Sequence, residues 1–199
     1  MNTSPTQTAE SSLRDMLFAV VDFETTGFKP ETNRIVQLAA IVINGQGVMV
    51  DSFDTVVRPE SPSEYTHGAE HIHGISEQQV ANGMPLAEAL QRLWAITKDT
   101  TFTAHNAQFD IGFLHAESDR VGIETRVDTH LDTLLLSRLT DVERTRKHSL
   151  EALCEHYGIE RTQSHEARAD ATATAELLIH LFKEMNVCEP GQVSELLER

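Results

Sequence analysis

Asp22 and Glu24 stand two residues apart at the end of the run M-L-F-A-V-V-D-F-E, from Met16 to Glu24. In an extended chain alternate side chains share a face, so the two carboxylates point the same way as Phe18 and Val20. Asp110, in H-N-A-Q-F-D, opens a helical stripe continued by Phe113 and Leu114, and so faces a core. Asp170, in H-E-A-R-A-D, heads a stripe that runs on through Thr174, Leu177, Leu178 and Leu181. Four carboxylates thus fall on the apolar sides of three elements, where an unpaired charge is costly. A single inward Asp is ordinarily neutralised by a buried arginine or by helix-cap hydrogen bonds. Four are harder to satisfy: among the sixteen Lys and Arg, only Arg34, Arg138 and Arg168 lie near these elements. Divalent cations meet the need, because carboxylate oxygens are hard ligands suited to Mg²⁺ or Mn²⁺, which leave positions open for water and a substrate phosphate.

His165 lies five residues before Asp170, about 140° around a helix, so the two cannot share a helical face. The histidine is expected on the loop at the helix start, free to swing over the carboxylates. With an ordinary pKa near ~6.5, an imidazole there can take a proton from an attacking water at neutral pH. Each spacing is common by itself. With 31 acidic residues, roughly one D-x-E arises by chance. A second copy, Asp141 and Glu143, is present; it is followed by R-T-R-K, no buried strand precedes it, and it reads as a solvated loop.

These residues need elements to hold them. The apolar run from Met16 to Glu24, stopped by T-T-G, suits a strand buried on both faces. Arg34 to Asn44 and Val48 to Val57, joined through G-Q-G, suggest a hairpin, which makes the opening a three-stranded meander. Ser76 with Gln79 forms a capping-box pattern, and Pro85 opens a segment with Leu86, Ala89, Leu90 and Leu93 at helical spacing. Thr100 to His105 is expected as a fourth strand, with Asn106 capping a helix that runs to about Gly122, and Val127 to Leu131 as a fifth. Helical patterns follow at Thr133 to Leu139, Ser149 to Tyr157 and Glu166 to Met185. The class is α/β, a mixed sheet covered by helices.

Composition sets the outer limits. A chain of 199 residues with 40% hydrophobic and 24% charged residues has the profile of one soluble domain. The longest apolar runs, Leu17 to Val21 and Leu38 to Ile43, are far shorter than the ~20 residues of a membrane span. The polar start M-N-T-S-P-T-Q-T-A-E-S-S has no secretory pattern, and Cys154 and Cys188 sit in no metal or disulfide spacing, so a cytoplasmic location is expected. The net charge of −15 is unusual for a protein that grips nucleic acid by charge.

D-F-E-T-T-G at 22 to 27, H-N-A-Q-F-D at 105 to 110 and H-E-A-R-A-D at 165 to 170 follow the order and approximate spacing of the three motifs of the DEDDh exonucleases. H-G-I at His73 to Ile75, L-D-T-L-L-L-S-R at Leu131 to Arg138 and H-S-L-E-A-L-C at His148 to Cys154 add weaker echoes. The chain resembles that family, which includes the epsilon proofreading subunit of bacterial DNA polymerase III and its stand-alone relatives. The resemblance implies a ribonuclease H-like fold with a five-stranded mixed sheet, the antiparallel meander plus parallel strands. It implies two metal ions held by Asp22, Glu24, Asp110 and Asp170, with His165 as general base. It also implies 3′ to 5′ hydrolysis that releases 5′-mononucleotides. Thr25, Thr26 and Gly27 match the turn that in relatives lies against the terminal nucleotide, and His105 and Asn106 match residues near the substrate.

On this reading residues 1–15 form a flexible tail, 16–185 the exonuclease domain and 186–199 a short C-terminal tail. The chain ends at G-Q-V-S-E-L-L-E-R without the long extension of the polymerase-bound relatives, which leaves a polymerase partner open. Ribonuclease T and oligoribonuclease share the motifs, so an exoribonuclease is the alternative; the D-F-E-T-T-G strand favours DNA. A catalytically idle nucleic-acid-binding module on the same fold is disfavoured because every reacting position is filled. The expected substrate is a single-stranded 3′ end, held distributively at the metal site, with Phe28 and Phe109 as stacking candidates.

Overall fold

The computed structural model describes residues 12–60, 65–161 and 164–198. Three long strands open it: β1 (Leu17–Thr25), β2 (Ile35–Asn44) and β3 (Met49–Arg58). Two short helices follow, α1 (Glu70–His73) and α2 (Glu77–Ala81), then β4 (Met84–Pro85) and α3 (Leu86–Thr97). The second half alternates β5 (Thr101–Ala104), α4 (Ala107–Val121), β6 (His130–Asp132), α5 (Thr133–Leu139), α6 (Leu150–Tyr157), α7 (Ala167–Glu184) and α8 (Pro190–Glu195). The sheet order is β4-β3-β2-β1-β5-β6, with β1 antiparallel to β2, β2 antiparallel to β3, and β5 and β6 parallel to β1.

The meander and the parallel strands are those expected, but the sheet has six strands rather than five. The extra one, β4, is two residues long and ends in proline, and it joins the sheet edge through Val57↔Met84 and Arg58↔Pro85. Two residues carry no alternation, so no sequence pattern marks them. The last strand begins at His130 rather than Val127, because its pairing partners on β5 are Phe102, Thr103 and Ala104.

Alternation along β1 splits the core. Phe18 and Val20 pack with Ala39, Ile41 and the α7 residues Ala171, Leu177, Leu178 and Leu181. Val21 and Phe23 pack on the opposite side with Leu38, Ala40 and residues of α3 and α4. All of β2 except Asn44 is buried, as expected of a strand covered on both faces. The small residues Ala167, Ala171, Ala173 and Ala175 are buried on α7, which lets that helix lie close to the sheet.

Residues 186–199, expected as a short tail, instead carry α8, whose Val193 is buried in the main core. Beyond it, Glu198 exchanges two backbone hydrogen bonds of 2.9 and 3.0 Å with His130 on β6. At the other end a short turn at Leu13–Asp15 packs against the β2–β3 hairpin, with the Gly45 N–H donating to the Met16 carbonyl. Residues 1–11 of the expected N-terminal tail lie outside the described residues. No described helix is long and apolar enough to cross a membrane.

Candidate active site

The site grows from the end of β1. Asp22 and Glu24 continue the face of Phe18 and Val20, opposite Ala39 and Gln37 on β2, and both keep some contact with solvent. The turn that follows is tied down locally. Thr25 Oγ1 donates to the Gly27 carbonyl at 2.7 Å, Thr26 Oγ1 accepts from the Arg34 N–H at 3.0 Å, and the Thr26 N–H donates to the Arg34 carbonyl. A Cβ on Gly27 would stand 2.8 Å from the Asn33 side chain, so glycine lets this turn close. Arg34 in turn donates to both carboxylate oxygens of the fully buried Glu117 on α4, which also accepts the Ile35 N–H. The arginine near this strand is therefore committed to Glu117, not to Asp22 or Glu24.

Asp110 is buried in the first turn of α4 and Asp170 in the first turn of α7, both facing inward as their stripes require. His165 sits two residues before α7, exposed, in a left-handed conformation with φ 59°. Its backbone N–H donates to Asp170 Oδ2 at 3.1 Å. Ligand atoms of Glu24, His165 and Asp170 all lie within 4.8 Å of one another. Asp22 senses the charges of Asp110, Glu24 and Asp170, so all four acids and the histidine converge.

Crowding sets the protonation behaviour. Burial first, and then the neighbouring Asp110, Glu24 and Asp170, push the Asp22 carboxyl well above the usual range, with Arg161 opposing. Burial, followed by Asp170 and Glu166, raises Glu24 to about 7. Burial also raises Asp110, against hydrogen bonds from its own backbone and that of Phe23. Like charges held this close favour the protonated acids unless a cation joins them. An oxygen-rich donor set with one imidazole fits Mg²⁺ or Mn²⁺, so the residues present suit a divalent metal.

Several contributors escaped sequence reasoning. Arg161 donates through Nε (3.1 Å) and Nη2 (2.5 Å) to Asp170 Oδ1, supplying a cation that was sought among Arg34, Arg138 and Arg168. Arg168 instead pairs with Asp54 on β3. Gln37 is buried beside Glu24; its Nε2 donates to Glu166 Oε1 at 2.8 Å and its Oε1 accepts the Ala167 N–H at 3.3 Å. Glu166 caps α7 by accepting the Arg168 and Ala169 N–H groups. The only hint was position: Glu166 stands just ahead of the helical stripe, where caps belong.

Asn106 makes no side-chain cap; it is left-handed with φ 68°. The buried Asp132 does that work, accepting the N–H groups of Asn106 (2.9 Å) and Ala107 (3.1 Å) at the head of α4 and of Leu134 (2.9 Å) on α5. His105 has both ring nitrogens engaged inside the protein, with Thr133 Oγ1 at 2.9 Å and the His148 carbonyl at 3.0 Å. Burial lowers its pKa. Asn106 is exposed, Phe28 is 82% exposed just past the Thr25–Gly27 turn, and Phe109 packs on Phe113 with ring centroids 4.9 Å apart. The second D-x-E lies on a loop with Glu143 exposed, as expected, but Asp141 is buried and accepts hydrogen bonds from Thr145 N, Thr145 Oγ1 and Arg146 N. These bonds hold its carboxyl well below the usual range. It organises a loop and stays apart from the other acids.

A sequence model of the RNase T exonuclease family matches residues 19–178. The PolC-type DNA polymerase III of Staphylococcus aureus (strain bovine RF122 / ET3-1) is 33% identical over 189 residues, 93% of this chain and 13% of its own length. That of Staphylococcus saprophyticus is 34% identical over 177 residues, 88% of this chain and 12% of its own. The chain thus spans about an eighth of the length of these curated relatives. Among solved structures, E. coli exonuclease I in complex with a dT13 oligonucleotide superposes with a TM-score of 0.71 at 21% identity, covering 86% of this chain and 42% of that one. The nuclease domain of 3′hExo, a DEDDh family member bound to rAMP, gives 0.72 at 16% identity and covers 91% and 96%. The fold is the ribonuclease H-like fold of these exonucleases.

Proposed function

This chain belongs to the RNase T exonuclease family, of DEDDh type, and from that premise we propose that it is a metal-dependent 3′–5′ exonuclease releasing 5′-mononucleotides from single-stranded DNA ends. The convergence of Glu24, His165 and Asp170 beside Asp22 and Asp110 carries this reading. Asp22, Glu24, Asp110 and Asp170 would hold two Mg²⁺ ions, with Mn²⁺ as a substitute. When bound, the ions supply Lewis-acid activation of the attacking water and charge stabilisation at the leaving oxygen.

The chain's own residues supply the rest. His165, exposed on its loop beside Glu24 and Asp170, accepts the proton of the attacking water. The braced Thr25–Thr26–Gly27 turn receives the terminal nucleotide, and exposed Phe28 offers its base a stacking face. Asn106 is exposed and so free to meet the substrate, while His105 acts by holding its loop. A paired end must fray before it reaches acids this deep, which favours single strands. The polymerase names of the relatives at 33% and 34% identity support DNA. The second reading, a 3′–5′ exoribonuclease, draws on the likeness to 3′hExo bound to rAMP.

Matched 5′-labelled single strands of DNA and RNA, with Mg²⁺ or with chelator, test both readings. The expected result is a ladder shortening from the 3′ end of DNA, nucleoside 5′-monophosphates as product, and silence in chelator. Asp22→Ala abolishes the ladder, and His165→Ala slows it by about 10² to 10⁴ with metal affinity little changed. Faster RNA decay moves the assignment to the second reading. Undiminished turnover in Asp22→Ala, at matched circular dichroism, sinks both.

A further inference from the structure

Four of the sixteen Lys and Arg, namely Arg138, Arg144, Arg146 and Lys147, fall within ten residues beside only two acids, in a chain of net charge −15. Arg138 stands in the last turn of α5, and the other three lie in the connection from α5 to α6. Arg146 is engaged internally: it reaches Thr140 Oγ1, the Tyr157 hydroxyl and Glu184, and lies 5.6 Å above the Tyr157 ring. The other three are not neutralised. Arg144 donates only to the neutral backbone carbonyls of Arg138 and Asp141, and among the described residues none of Arg138, Arg144 and Lys147 forms an ion pair with a carboxylate. Arg144 and Lys147 are exposed.

The connection is preformed. Asp141, buried beneath it, accepts three hydrogen bonds from Thr145 and Arg146, and its Oδ2 lies 3.2 Å from His148 Nε2. Arg144 holds a left-handed conformation at φ 55°. Two apolar side chains stand out into solvent there, Leu139 at 57% and Val142 at 83% exposed, where the core gains nothing from them. The connection is also tied to the segment that leads into the Asp110 helix. The His148 carbonyl bonds His105 Nε2, next to the head of the helix that carries Asp110, and the Arg138 charge is close enough to be felt at His105.

We propose that the end of α5 and this connection form the path of the single strand behind the terminal nucleotide, with Arg138, Arg144 and Lys147 on successive phosphates and Leu139 and Val142 against bases or sugars. The inference rests on the exonuclease reading above. Charge complementarity selects a polyanion, the outward apolar pair selects one with exposed bases, and continuity with the His105–Asp110 segment fixes where it must arrive. Three contacts make a short track, compatible with release after a few cuts.

The test is fluorescence anisotropy of 5′-labelled dT12 and dT3 in Ca²⁺ across a salt series, with gel analysis of dT12 hydrolysis in Mg²⁺. The triple variant Arg138→Gln/Arg144→Gln/Lys147→Gln is expected to bind dT12 about tenfold more weakly, with a log-log salt slope smaller by about 2, near 0.7 per lost phosphate contact on a single strand. The loss for dT3, which barely leaves the metal site, is expected to be much smaller. Arg138→Lys/Arg144→Lys keeps the charges and is expected to keep the wild-type slope. If the wild type hydrolyses dT12 while the Gln variant keeps its slope and affinity, the path is wrong and the exonuclease reading stands. Equal losses for dT3 and dT12, or a slope lost in the Lys variant, also overturn the path. If the wild type neither binds nor cuts either strand, the exonuclease reading itself falls.

Discussion

Asp22 and Asp170 are both inward acids, yet their surroundings differ in sign. Asp22 is crowded by three like charges, whereas Asp170 has the Arg161 guanidinium on one oxygen and a backbone N–H on the other. In chelator, Asp22→Asn is therefore expected to raise the melting temperature, by about 2–4 °C for each kcal/mol of repulsion relieved in a domain of this size. Asp170→Asn is expected to lower it, since the half-buried Arg161 loses its partner at a cost of up to about 3 kcal/mol. Thermal melts that move the two variants the same way would refute the distinction. The raised acids also fix a pH dependence. A folded pKa above the unfolded one adds stability below about 4.5 for Glu24, and that stability drains away as pH rises through its folded value of about 7. Three histidines whose pKa values are lowered, His73, His105 and His130, act the opposite way up to their ordinary value, but equally with or without metal. The gap in melting temperature between Mn²⁺-loaded and chelated protein should thus widen from pH 5 to pH 8; a constant gap would contradict it. The four acids of the cluster were legible because each obeys a local rule, same-face spacing or helical stripe, whereas His165 was placed by its failure to share the face of Asp170. Arg161 was not, because nothing in its neighbours tells that it folds back on an aspartate nine positions away.

Two elements must meet at a set distance for the cluster to exist: β1 with Asp22 and Glu24, and the start of α7 with His165 and Asp170. Gln37 joins them, reaching from the strand beside β1 to the Glu166 cap and the Ala167 N–H. Gln37→Leu removes both bonds and should reduce kcat by about tenfold or more, through misplacement of the reacting groups, while KM for an oligonucleotide moves less. The exchange Gln37→Glu with Glu166→Gln reverses the direction of the bond between the two side chains but keeps the bond, an acceptor for the Ala167 N–H and the total charge, and should restore most of kcat; steady-state kinetics on the three proteins decide it. If the exchange is as slow as Gln37→Leu, the clasp is not what matters. Most elements were readable from periodicity and turns, including the α5 and α6 boundaries. Asn106 holds the N-cap position of α4, as expected, but its side chain makes no cap bond, because the side chain that grips that helix, Asp132, comes from a strand 26 residues later. Sequence-local capping rules cannot find a partner that only tertiary packing supplies.

Over the whole molecule, the charge of −15 argues against a long grip on nucleic acid, and its distribution matters more than its sum. With only the short run at Arg138, Arg144 and Lys147 proposed to meet phosphates, digestion should be distributive. Oligonucleotide prebound in Ca²⁺ and released into Mg²⁺ with excess unlabelled competitor should lose only one or a few nucleotides per encounter. Long single-encounter digestion, or a salt slope equivalent to six or more phosphates, would refute this. Composition revealed the sum but not the arrangement, because the closeness of Arg138 to His105 depends on how α5 packs. The terminal backbone exchange between Glu198 and His130 has a mechanical meaning as well. It stitches the end of the described chain to β6 two residues before Asp132, the side chain that grips the head of the Asp110 helix. Load applied to that terminus, by a surface tether or a fused domain, reaches this seam first and passes through β6 to the side chain that seats the Asp110 helix.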